Sequence, residues 1–175
     1  SGSARPQRVT VSALGQATSF TLLEINGAER TDAAWKATGF RLDSTLVLAG
    51  KYSWSTAGSG ELRSTVVRAP TDADTVSLVC WTRYDGNGFQ ETPNGQVRVS
   101  TDGGSSFQTV LRVQGFAPAW YPERVTLGGV KGRQLVFAFV PTALQWSLDE
   151  IAVVAHGAVT STSAGATLAL RPSEN

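Results

Sequence analysis

The chain has 175 residues, enough for one domain with a sizeable core. Its formal net charge of +1 gives no bulk pull towards nucleic acid or a membrane surface, and no run of about 18 apolar residues is present to cross a bilayer. One cysteine rules out an internal disulfide framework, and one histidine, His156, leaves little for a Ser-His-Asp triad or a His-rich zinc site.

Ser1-Gly2-Ser3 reads as an expression scar. One domain is expected over 4–157, with 158–175 an edge strand or a linker towards a further C-terminal domain. Period-two and β-branched runs predict strands near 8–13, 17–25, 45–54, 61–68, 75–84, 96–101, 106–113, 123–127, 134–141 and 148–154. Gly-, Asn- and Asp-rich turn signals separate them, Ala-Gly-Ser-Gly at 57–60 among these. "TDAAWKATG" (31–39) is the one stretch able to make a helical turn. "QLVFAFV" (134–140) is apolar on both faces and predicts a central strand. A weak strand is read at 166–170. The fold class is all-β: an antiparallel β-sandwich.

"VRVSTDGGSSFQTV" (97–110) is a hairpin connection. Asp102 is expected to accept from the amide two residues on, with Gly103 and Gly104 supplying positive φ. Ser106 is expected to bond back to the loop, and Phe107 to pack beneath it. Cys80, in an apolar strand, reads as a buried small hydrophobe. No His-Glu-x-x-His, Cys-x-x-Cys or Walker loop is present. A glycosidase needs two facing carboxylates. Asp85, Glu91, Asp102, Asp149 and Glu150 supply candidates, but strand and turn geometry accounts for them as well. The expectation is no enzyme activity in this chain.

The ligand-binding candidates are Trp81, Tyr84, Asp85, Trp120 and Tyr121. Trp81 and Tyr84 close one strand, Trp120 and Tyr121 are expected in a Pro-flanked loop, and Asp85 opens a long polar loop at 84–96. Exposed rings stack on sugars or anchor a protein partner. A sugar platform requires these rings to share one open face.

Several stretches now fall in order: "FTLLE" (20–24), "DAAW" (32–35), "AGKYSWST" (49–56), "ELRSTVVRAP" (61–70), "VSLVCWTRY" (76–84), "GQVRVSTDGGSSF" (95–107), "GRQLVFAFV" (132–140) and "WSLDEIAVV" (146–154). Over roughly 17–155 the chain resembles the MAM-type jelly roll, concanavalin-like or galactose-binding-like in architecture. It resembles most closely the bacterial modules appended to secreted metallopeptidases of the immune-inhibitor-A type. The pattern Ser100-x-Asp102-x-Gly104-x-Ser106-Phe107 resembles the Asp-box, a folding element of sialidase propellers and other β proteins. The resemblance implies a non-catalytic accessory or adhesion module, secreted or at the cell surface. Its partner would be a neighbouring domain, a protein or a polysaccharide, without nucleic acid or membrane insertion. A carbohydrate-binding module is the alternative. In the resembled family an early Glu and a closing acidic strand meet at one end of the roll. That implies a structural calcium ion at Glu24 and Asp149, with Asp32 next. The chain departs from the pattern in lacking the vertebrate cysteines, in Leu23-Glu24 for Phe-Glu, and in Asp149-Glu150 for the closing pair.

Overall fold

A computed structural model describes residues 7–13, 16–29, 35–85, 95–142, 145–157 and 160–161. Among these there are twelve strands and no helix: β1 (Gln7–Ala13), β2 (Gln16–Asn26), β3 (Trp35–Asp43), β4 (Ser53–Ser64), β5 (Val67–Arg68), β6 (Ala73–Asp85), β7 (Gly95–Ser100), β8 (Gln108–Val113), β9 (Ala117–Gly128), β10 (Gln134–Pro141), β11 (Gln145–Gly157) and β12 (Thr160–Ser161). The named strands pair antiparallel throughout, as the alternating pattern predicts.

Two series of strands make the sandwich. The first runs β1-β2-β11-β6-β9, and the second β3-β4-β10-β7-β8. They join at a seam where the first half of β11 pairs β4, Leu148 lying opposite Trp54. Beyond Glu150 the same strand leaves β4 and pairs β2, Ile151 opposite Asn26. Glu150 has a φ of 47°, and a bulge interrupts the β6 ladder between Asp149 and Ala152. One residue in the left-handed region re-aims the strand, as bulges do.

The core lies between the inner faces. Phe137, Phe139, Leu62, Trp146, Leu148, Ile151, Val153 and Leu78 are all buried there. The Phe139 ring meets Trp146 edge-on at 5.7 Å and Trp35 at 6.0 Å. β10 is buried on both faces between β4 and β7, as its continuous apolar run predicts.

Three expectations require correction. Residues 35–43 form β3, not a helical turn, because eight positions find partners on β4 and tertiary pairing overrides weak local propensity. Ala57-Gly-Ser-Gly is not a turn but the middle of β4. There Gly39 and Gly60 face each other at a register shift, at φ 72° and 126°, and a Cβ on either would collide with the opposite backbone. The strand expected at 45–54 begins only at Ser53, since residues 44–52 fold as a loop held by side chains (described below). The strand read at 166–170 lies outside the described residues.

Candidate ligand-binding faces

From Leu78 to Tyr84 β6 alternates. Val76, Leu78, Cys80, Thr82 and Tyr84 are buried, while Val79, Trp81 and Arg83 are half-exposed on the outer face. Trp120 and Tyr121 lie not in a loop but in β9, which pairs beside β6 with Trp81 opposite Pro122 and Thr82 opposite Tyr121. Trp120 precedes Tyr121 on β9 at a register shift and, like Trp81, is half-exposed. Tyr84 and Tyr121 take the other side. The Tyr84 hydroxyl donates to the Gln114 carbonyl at 2.8 Å, and Tyr121 packs edge-on against it at 6.0 Å. Burial and the neighbouring Tyr84 push the Tyr121 hydroxyl pKa well up. These tyrosines are framework, and the four rings do not make one platform. The Asp85 side chain and Glu91 lie outside the described residues.

The hairpin after β7 follows its turn chemistry with one exchange of partners. The Ser100 hydroxyl donates to Asp102 Oδ1 at 2.6 Å and accepts the Gly104 amide at 2.7 Å. Asp102 instead accepts the amides of Ser105 and Ser106, both at 3.0 Å, and the Ser106 hydroxyl at 2.6 Å. Hydrogen bonds from Ser100 and Ser106 hold its carboxyl far below the usual range. Gly103 and Gly104 have positive φ as expected. Phe107 is half-buried with the Arg63 guanidinium over its ring at 4.7 Å.

Asp149 is fully buried, yet not in the inter-sheet core. Its strand neighbour is the outward Trp81, and the Glu150 bulge flips the alternation before Ile151. Asp149 thus does not share the inward face of Ile151 and Val153. The 44–52 loop covers it instead. Asp149 Oδ2 accepts the amides of Leu48 and Ala49 at 3.0 and 3.2 Å, and Oδ1 that of Glu150 at 2.8 Å. Burial raises its pKa, against these amides, which lower it. Glu29, which sequence reasoning missed, accepts the amides of Lys51 and Tyr52 from the same loop.

This donor set does not fit a cation. N–H dipoles already point their positive ends at Asp149 and Glu29. Asn26 Oδ1 is taken by the Ala28 amide and the Trp54 indole. Glu24 sits opposite Val153, four residues along β11 from Asp149, roughly 10–13 Å away by strand rise. Asp32 lies outside the described residues. Among the described residues no three acidic, His or Cys side chains group as metal ligands.

Catalytic groups do not converge either. Cys80 is buried and its thiol is pushed up to about 12 by burial, so it is a packing residue as expected. His156 Nε2 lies 3.2 Å from Arg124, whose guanidinium also donates to Ser77. Burial, then the Arg124 charge, lowers the His156 pKa and favours the neutral ring.

No family model matches the chain, and no curated protein matches it by sequence. Its architecture is shared. The CBM22-1 xylan-binding domain of Paenibacillus barcinonensis Xyn10C superposes with a TM-score of 0.56 at 15% identity, covering 82% of this chain and 96% of that one. The K3 cleaved adhesin domain of the Lys-gingipain of Porphyromonas gingivalis gives 0.56 at 16% identity, covering 77% and 98%. The CBM22-1–GH10 modules of Clostridium thermocellum xylanase 10B, complexed with xylohexaose, give 0.57 at 10% identity, covering 77% and 28%. The fold is a jelly roll. Such a fold hosts many functions, so the site must carry the rest.

Proposed function

We propose that this chain is a non-catalytic polysaccharide-binding module of a larger secreted or surface bacterial protein. The observation that carries the reading is the pair Trp81 and Trp120, both half-exposed on the adjacent strands β6 and β9, with Pro122 of β9 opposite Trp81. Indole faces stack on sugar rings, and neighbouring rings on a rigid sheet spend little entropy in doing so. The xylan-binding domain and the xylanase module complexed with xylohexaose support this choice of ligand, since both use the same architecture. Affinity electrophoresis on a panel of neutral polysaccharides tests it. Retention is expected on at least one polymer. Trp81→Ala and Trp120→Ala should each weaken it about tenfold, with the melting temperature within a few degrees of wild type. A panel without retention overturns the reading.

Adhesion to a protein is the second reading, favoured by the likeness to the gingipain adhesin domain. It takes precedence if the polysaccharide panel fails. We infer further that the 44–52 loop is anchored by Asp149 and Glu29 through amides, without calcium.

A further inference from the structure

The second sheet carries a row of cations across its outer face. Pairing registers place Lys36 of β3 beside Arg63 of β4, Arg63 beside Ala138 of β10, Ala138 beside Arg98 of β7, and Arg98 beside Thr109 of β8. The opposite faces of these strands bury Leu62, Phe137, Phe139, Val97 and Val99, so the row points out. Strand spacing puts Arg63 and Arg98 about 10 Å apart at the backbone, and Lys36 and Arg98 about 14 Å. Ala138, between the two arginines, is fully buried, so the side chains of the row and not the strand beneath make the surface. Arg63 is fixed in place: it stacks on Phe107, donates to the Gly104 carbonyl at 3.3 Å and lies 4.0 Å from Glu61.

Arg98 is different. Its Nε is withheld from solvent and has no acceptor. Among the described residues neither Arg98 nor Lys36 has an acidic partner within 4.0 Å. A buried donor without an acceptor is costly, and native structures seldom leave one unmet. Nε itself is shielded, so an anion arriving on this face would meet what the half-exposed Arg98 side chain presents to solvent.

We propose that this row binds an anionic polysaccharide, through carboxylate groups of uronic acids or sulfate esters. The cations are spread perpendicular to the strands over three ladder spacings, which suits a linear polymer better than a single small ion. Phe107 lies beneath Arg63 and is not offered to a base, which argues against single-stranded nucleic acid. The choice of polysaccharide among polyanions rests on the function proposed above. The site itself does not, because it lies on the other sheet from Trp81 and Trp120.

Affinity electrophoresis of the full chain in polygalacturonate, its methyl ester, dextran sulfate and dextran tests the assignment. Retention by polygalacturonate or dextran sulfate, lost at high salt and absent from both neutral polymers, is expected. Retention by polygalacturonate alone identifies uronate, and by dextran sulfate alone sulfate ester. Arg98→Ala and Lys36→Ala should each weaken it about tenfold, while Arg98→Lys should recover part of the loss. The double variant Trp81→Ala/Trp120→Ala should be retained as well as wild type, so failure of the indole site is seen separately. No retention by either anionic polymer overturns the proposal. So does undiminished retention of Arg98→Ala/Lys36→Ala at wild-type melting temperature, or equal retention by single-stranded DNA.

Discussion

Ser100 and Asp102 divide the amides of their loop between them, the serine taking Gly104 and the aspartate taking Ser105 and Ser106. Since the folded-state pKa of Asp102 is depressed, its ionised form stabilises the fold. That contribution is present above the unfolded value of about 3.9 and is lost as pH falls through it towards the lower folded value. Asp102→Asn is therefore expected to melt lower than wild type at neutral pH and to converge with it in acid. Parallel melting profiles from neutral to acid pH would show that the carboxylate does not hold the hairpin. This loop was legible in the sequence because the bonds made by the Ser100, Asp102 and Ser106 side chains span at most four residues. Asp149 stood out in the sequence as an acidic residue, but the amides it accepts could not be named from it. Its acceptor role depends on Leu48 and Ala49, about a hundred positions away. Arg98 gave no signal, since only the strand register sets it in line with Arg63 and Lys36.

Among the elements, β11 diverges most from its sequence pattern. "WSLDEIAVV" alternates as one strand with one inward face, yet the strand changes partner from β4 to β2 at Glu150. Local alternation does not encode a partner change, and Glu at a positive φ carries no turn signature of the Asn-Gly kind. The same blindness produced the error at 31–39, where β3 exists because β4 is there to pair it. Glu150 pays a left-handed cost of about 1–2 kcal/mol. Glycine removes it but gains about 0.5–1 kcal/mol of unfolded-state freedom. Glu150→Gly should thus be neutral to stabilising by up to about 1 kcal/mol, and Glu150→Val should destabilise by about 1–2 kcal/mol. Urea unfolding of both variants measures this, and a destabilised glycine variant would mean that the Glu150 side chain supports the bulge.

For the whole molecule, the sandwich was readable because one-sided burial imposes period-two patterning on many strands, and its central β10 because burial on both faces leaves a continuous apolar run. Which tryptophans share a face was not readable, since that depends on the register of β6 against β9. The loop anchored by Asp149 and Glu29 leads to a global expectation. The melting temperature should be the same in EDTA and in added calcium, while Asp149→Ala should cost about 3 kcal/mol in both by stranding three amides. A fall in melting temperature in EDTA, recovered by calcium but not magnesium, would restore the ion. The partner change in β11 also bears on how the chain is made. β11 is bonded to β2, β4 and β6, all far upstream of it. During synthesis those strands are completed long before the one that joins them, so β2 and β4 wait with open ladder edges. Closure of both layers is then a single late event of high contact order, and the oldest strands face the longest exposure to mispairing.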